Sequence, residues 1–170
     1  MSIFDLVAMP KEAGSGEILD ALGPRIQHLT ALSDADDGYC LIRSSFPAGS
    51  VVPIHSHADR ETFYILDGEL QGLREDRWRT LAGGDVFDVP GKTKHGFRNL
   101  SGAPVSLLCV TTMRMGRFFR EISRPAATVP PGPPSPADLE RFFEIAERYG
   151  CWVGSPGDNA AVGIPLLYTP

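Results

Sequence analysis

Cysteine is scarce in this 170-residue chain: Cys40, Cys109 and Cys151 lie far apart and form no C-x-x-C pair. An odd, scattered set argues against a disulfide framework and against a zinc knuckle, and suits buried thiols in a reducing compartment. No stretch approaches the ~18 consecutive apolar residues that a spanning helix needs, so no membrane partner is expected. Positive charge is also short. Sixteen Lys and Arg against 21 Asp and Glu give a net charge of −5 without a basic cluster, so nucleic acid is not an expected partner. The N-terminus, MSIFDLVAMPKEAGSGE, has no basic segment followed by a long apolar one. A signal peptide is therefore not expected, and the cytoplasm is the expected compartment.

Hydrophobic content of 42% is that of an ordinary globular protein, and 18 Gly with 15 Pro suit many short strands joined by tight turns. Residues 1–17 read as an arm or edge segment. Glu17–Leu22 reads as a short helical turn stopped by Gly23-Pro24, and Arg25–Leu32 as a strand. Regular strand signals then run through Tyr39–Phe46, Val51–His57, Thr62–Leu66, Glu69–Arg74, Trp78–Leu81, Asp85–Val89, His95–Arg98 and Pro104–Thr112. Asp67-Gly68 carries the signature of a two-residue hairpin turn. Eight or more short strands without a crossover helix predict an all-β sandwich or barrel.

The composition changes after Met115. Arg117–Ile122 can form one or two helical turns, and residues 124–136 hold six prolines, a stiff linker. Ser135-Pro136 then predicts a capped helix start, with Leu139, Phe142, Phe143, Ala146 and Tyr149 on one face and Gly150 at its end. That helix is expected to dock on the barrel, with the tail wrapping back. The expected organisation is an N-terminal arm (1–38), a barrel core (39–115) and a C-terminal extension (116–170), all within one domain.

The chemistry concentrates in GSVVPIHSHADRETFYILDG, Gly49–Gly68. His55 and His57 share one face of an extended strand, because side chains repeat every two residues. Glu61 opens the next strand after Ala58-Asp59-Arg60, and a hairpin there would bring its carboxylate beside the imidazoles. Two imidazoles and a carboxylate suit a borderline divalent metal, although partly exposed polar residues near a strand end are also common. A fourth candidate, His95, stands in Gly84-x5-Pro90-x4-His95-x3-Asn99.

The pair of patterns, Gly49-x5-His55-x-His57-x3-Glu61-x6-Gly68 and the one around His95, resembles the two motifs of the cupin superfamily, and of its small single-domain metal-binding members. The second motif departs once: the glycine two residues after the proline is Lys92 here, with Gly91 displaced by one. The C-terminal extension is similar to that of bacterial quercetin-dioxygenase-like cupins. The resemblance implies an antiparallel jelly roll (double-stranded β-helix) with a short C-terminal α-helix, and one divalent metal ion held by His55, His57, Glu61 and His95. Fe, Mn, Ni, Zn or Cu would each suit that set, and an octahedral ion would keep two open positions. It also implies a small-molecule substrate that chelates through adjacent oxygens, and a homodimer.

The leading expectation is a dioxygenase of the quercetinase-like type, with Glu61 both ligand and proton acceptor. A non-oxidative isomerase, cyclase or lyase, or a non-catalytic ligand-binding module, are the alternatives. Phe63 and Ile65 share the parity of Glu61, and Phe97 that of His95; all three are candidate pocket residues, although such a stripe at strand spacing is more often plain core. Arg43 can pair an anionic substrate or face solvent, Asn99 reads as a turn residue, and His28 as structural or surface.

Overall fold

The computed structural model describes residues 16–165. Residues 1–15 of the expected N-terminal arm and the last five residues of the tail lie outside the described residues. Twelve strands follow one another in two antiparallel sheets: β1 (Leu19–Asp20), β2 (Arg25–His28), β3 (Tyr39–Phe46), β4 (Val51–Ser56), β5 (Glu61–Asp67), β6 (Glu69–Arg74), β7 (Arg77–Ala82), β8 (Val86–Val89), β9 (His95–Arg98), β10 (Val105–Thr112), β11 (Arg124–Pro125) and β12 (Trp152–Val153). Among the described residues three α-helices, α1 (Met113–Ile122), α2 (Pro136–Arg148) and α3 (Pro156–Ala161), and a 3-10 turn over Ala126–Thr128 all follow the last long strand.

One sheet runs β11-β1-β2-β3-β10-β5-β8 and the facing one β12-β4-β9-β6-β7. From β3 to β10 this is a jelly roll: β3, β10, β5 and β8 face β4, β9, β6 and β7. Alternate residues of each strand turn inward. Phe46, Phe63, Phe87 and Leu107 of one sheet meet Leu70, Leu81 and Phe97 of the other in a shared core. Each such side chain contributes roughly 1.5–3 kcal/mol by leaving water.

Two expected hairpins are sheet crossings instead. Asp67-Gly68 leads from β5 to β6, which stand in different sheets. The two-residue turn of this signature needs positive φ at both residues, and only Gly68 has it, at 89°. Long-range pairing of β6 with β9 and of β5 with β10 overrides the local signal. Ala58-Asp59-Arg60 likewise carries the chain from β4 to β5 across the sandwich rather than around a hairpin. Within the eight-strand core only β6 and β7 form a hairpin, closed by Glu75-Asp76 with Glu75 at φ 58°.

Glu17–Leu22 is not helical: Leu19–Asp20 pairs with Arg25–Ile26, and the turn between them puts Leu22 at φ 60°. The strand expected over Arg25–Leu32 ends at His28. α1 begins four residues before the expected helix, because the Thr112 side chain caps it by accepting from Met115 N. It packs close on β3, since a Cβ on Gly116 would stand 2.6 Å from Cys40 Sγ.

The capped start of α2 at Ser135 is present, with a capping box to Asp138. This helix docks on α1 and on the short β12 rather than on the core strands. The seam is Phe142, Ile145, Ala146 and Tyr149 against Phe118 and Ile122, which leaves Phe143 45% exposed, contrary to its expected face. The tail does return to the sandwich: β12 adds to the free edge of β4, and Ile164 packs on Ile54 and Leu73. No helix among the described residues is long and apolar enough to cross a membrane.

Candidate metal centre

His55, the first ligand candidate, stands near the end of β4 and is paired across the ladder with His95, the first residue of β9. His57 follows β4 directly, and Glu61 opens β5 on the facing sheet. One potential ligand atom from each of the four lies within 4.8 Å of all the others. Imidazole centroids are 4.1 Å apart for His55 and His95, 5.1 Å for His57 and His95, and 5.7 Å for His55 and His57. Glu61 and His95 are each 1% exposed, His57 is buried and His55 half-buried.

Backbone carbonyls set the ring orientations. His55 Nδ1 lies 2.9 Å from Pro53 O, and His95 Nδ1 2.9 Å from Thr93 O. A carbonyl only accepts, so each Nδ1 carries the proton and donates it, leaving Nε2 with its lone pair free to ligate. His95 Nε2 then faces Glu61 Oε2 at 3.1 Å, and His57 Nε2 faces the same oxygen at 3.4 Å. In a neutral His95 these are two acceptors, stable together only with a proton or a cation beside them. Separations near 3 Å also suit neighbouring ligands each about 2.1 Å from a shared ion.

Glu61 Oε1 and His57 Nδ1 are buried without a hydrogen-bond partner among the described residues, a cost of about 1–3 kcal/mol each that a bound cation would relieve at the carboxylate. Burial pushes the Glu61 carboxyl upward, but hydrogen bonds and charge from His57 and His95 together hold it well below its usual range. His57 is lowered by burial and raised more strongly by Glu61 and Asp59, ending above its ordinary value. Burial and the neighbouring His95 and His57 push His55 down to about 3, so it is neutral at pH 7. The donor set therefore fits one divalent transition ion.

The turn Pro90–Thr93 holds His95 against the loop that carries His57. A Cβ on Gly91 would meet Ala58 O at 2.1 Å, and Lys92 N donates to His57 O at 2.6 Å. Lys92 sits at φ 67°, a glycine-like position filled by lysine.

Other expected residues fall as follows. Phe63, Ile65 and Phe97 are buried in the core beneath the site; Phe97 lies 6.4 Å from the His95 ring and 4.8 Å from Phe63, between centroids. Arg43 has the outward parity of β3, away from the metal cluster. Asn99 is more than a turn residue: fully buried, it donates to Phe46 O and Ala103 O and so ties two corners of the sandwich together. His28 is structural, with Nε2 donating to Gly116 O at 2.9 Å. Cys40 and Cys109 are buried thiols and Cys151 is half-buried.

Two buried residues near the site were not singled out by sequence. Asp59 lies between His57 and Glu61, 8% exposed; it accepts from Thr112 Oγ1 at 2.6 Å and its other oxygen is 3.3 Å from Arg114 Nη2. Its place between two ligand candidates, His57 and Glu61, was a usable signal. Asn159 of α3, fully buried, accepts from Ile54 N at 3.0 Å. Its setting, Ser-Pro-Gly-Asp-Asn, reads as an ordinary capping turn and carries no such signal.

Residues 42–111 match the family model of the cupin domain. The jelly-roll core is therefore a cupin domain, 70 of the chain's 170 residues. Among curated proteins this cupin is 26% identical to the quercetin 2,3-dioxygenase of Bacillus subtilis over 148 residues, 85% of this chain and 44% of that one. It is 31% identical to an uncharacterised protein of Methanocaldococcus jannaschii over 71 residues, 41% of this chain and 56% of that one. The chain thus spans about half the length of the curated relatives it matches. Solved structures of the same fold include a predicted oxalate decarboxylase from Thermotoga maritima, with a TM-score of 0.53 at 22% identity over 63% of this chain and 98% of that one. An RmlC-like cupin from Shewanella frigidimarina gives a TM-score of 0.50 at 20% identity, over 63% and 89%.

Proposed function

We propose that this cupin is a mononuclear metal-dependent dioxygenase of the quercetinase-like type, acting on a small molecule that offers adjacent oxygens. The observation that carries the reading is the convergence of one potential ligand atom from each of His55, His57, Glu61 and His95, with the second carboxylate oxygen, Glu61 Oε1, buried and without a hydrogen-bond partner among the described residues. The similarity to quercetin 2,3-dioxygenase along 85% of this chain supports the choice of reaction. His55, His57, His95 and Glu61 would hold one divalent ion, with Fe, Mn, Ni, Zn and Cu all compatible with the donors. Bound there, such an ion supplies Lewis acidity and lowers the pKa of a hydroxyl it contacts, so that even a weak base suffices as proton acceptor.

Glu61 is the proposed acceptor: its carboxylate is held ionised by His57 and His95, and Oε1 is free to take a hydroxyl proton from the substrate. Phe97, and Phe63 beyond it, form the apolar floor against which a planar substrate would lie, with Ile65 two residues further along β5. Their close packing excludes water from that side. Pairing of two copies is also proposed. The outward face of the larger sheet exposes Tyr64, Leu66, Val86 and Val110, an apolar surface that a second copy would cover.

Oxygen uptake by protein loaded with each metal in turn, assayed against catechols, flavonols and β-diketones, tests the activity. Turnover that requires O2 is expected. Turnover that persists without O2 would favour the isomerase, cyclase or lyase alternative, and none with any metal would remove the enzymatic reading.

A further inference from the structure

In the β4–β9 ladder the register slips between Val52 and His55. The slip falls at Pro53, which has no amide proton, and at Ile54, whose N–H donates instead to Asn159 Oδ1 at 3.0 Å. Pro53 C=O and Ile54 N–H are the two ends of one peptide group. Its carbonyl accepts the Nδ1 proton of His55 at 2.9 Å. Asn159 is therefore joined to His55 through a single peptide plane: side-chain oxygen to amide proton at one end, carbonyl oxygen to imidazole proton at the other.

Two effects follow. Fixing the amide end fixes the plane, and with it the direction from which His55 is held. Polarisation runs along the same line, because an amide whose N–H is bonded has a more negative carbonyl oxygen, which strengthens the Nδ1–H···O bond and the basicity of Nε2.

Asn159 is itself immobilised. It is 0% exposed, and its Nδ2 donates to Gly154 O and to Ser155 O, each at 3.0 Å. Gly154 closes the arrangement: its N donates to Ile54 O at 2.9 Å, and a Cβ there would lie 2.5 Å from Ile54 Cγ2. We infer that Asn159 is a positioning residue of the metal centre, acting on His55 through the Pro53–Ile54 peptide, and that the C-terminal segment Cys151–Ile164 is a working part of the site. The inference rests on the reading of His55 as a metal ligand.

His95 is the internal control, since its Nδ1 is held by Thr93 O and has no link to Asn159. The test compares wild type with Asn159→Ala, and with Asn159→Asp, which keeps an oxygen acceptor toward Ile54. Ser155→Ala weakens the cap of α3 without removing that acceptor. Nitrogen chemical shifts of the imidazoles are read at pH 7.5 in metal-free protein, and Co(II) affinity is measured separately. Asn159→Ala should lose the pure Nδ1–H signature of His55 while His95 keeps its own, and should bind Co(II) about 10-fold more weakly. Asn159→Asp should restore the His55 signature, and Ser155→Ala should leave it unchanged. If Asn159→Ala does not fold, Asn159→Asp and Ser155→Ala decide: loss of the His55 signature in Ser155→Ala, or its loss in a folded Asn159→Asp, overturns the inference. An unchanged His55 signature in folded Asn159→Ala overturns it as well. Failure of wild type to bind Co(II) would instead count against the metal reading, since the imidazole shifts are recorded without metal.

Discussion

His95 Nε2 lies 3.1 Å from Glu61 Oε2, although the two residues are 34 apart in sequence and stand on opposite sheets. The candidate ligand set is thus also a tie across the sandwich. Substituting Glu61→Gln keeps the shape and removes the charge. It should weaken Co(II) or Zn(II) binding by more than about 100-fold, beyond what loss of a supporting group costs. His28→Ala, outside the cluster, should leave affinity within error of wild type. Competition titration with a chelator dye checks both, and equal losses in the two variants would sink the ligand assignment.

Lys92 holds a left-handed backbone that costs a residue with a Cβ roughly 1–2 kcal/mol. Glycine relieves this but returns about 0.4–1 kcal/mol through the unfolded chain. Lys92→Gly should therefore stabilise by about 0.5–1 kcal/mol in urea denaturation. Gly91→Ala should act in the opposite sense, by about 1–3 kcal/mol or more, because its Cβ would meet Ala58 O at 2.1 Å.

That pair of residues also shows where sequence reading reached its limit. The displaced glycine, Gly91 for the usual position of Lys92, looked like a departure in a loop. Its reason is contact with Ala58, which only the folded chain brings near. The eight core strands and the four members of the buried cluster were legible, because period-2 patterning and the spacing of His55, His57, Glu61 and His95 are properties of the chain itself. Which strands pair was not: Asp67-Gly68 has hairpin chemistry, yet β6 finds its partner in β9. Helix α2 was legible by its cap, while its buried face depended on where α1 lies. Asn159 was silent, since nothing local marks a polar residue as the partner of a bulged strand 105 residues earlier.

Asp59 and Arg114 make a further separable claim. Arg114→Ala would leave a buried carboxylate supported by Thr112 alone, and would free Tyr149 O from two hydrogen bonds. A loss of about 3 kcal/mol is expected in urea denaturation. The double variant Asp59→Asn with Arg114→Ala should recover a large part of it, because no charge is then stranded. Additive losses in the double-mutant cycle would show that the pair is not coupled.

The acid side of the stability profile should carry the mark of His28. Burial lowers this imidazole below its ordinary 6.5, the hydrogen bond to Gly116 partly opposes that, and Arg120 lowers it further. The unfolded chain therefore binds the proton first. Stability is fully present above pH 6.5 and declines as pH falls below that value toward the folded pKa. His28→Gln should flatten this part of the curve when melting is followed from pH 7.5 to 5. An unchanged slope would contradict the assignment.

The central claim, that four residues of the two motifs hold one transition ion for catalysis, meets its most direct measurement in elemental analysis. Wild-type protein purified without added metal, and again after reconstitution, is assayed for Fe, Mn, Ni, Zn and Cu beside His95→Ala. The account predicts about one equivalent of a single transition metal per wild-type chain after reconstitution, and a small fraction of that in folded His95→Ala. Wild-type protein that stays metal-free after reconstitution, or His95→Ala that retains the full equivalent, would contradict it.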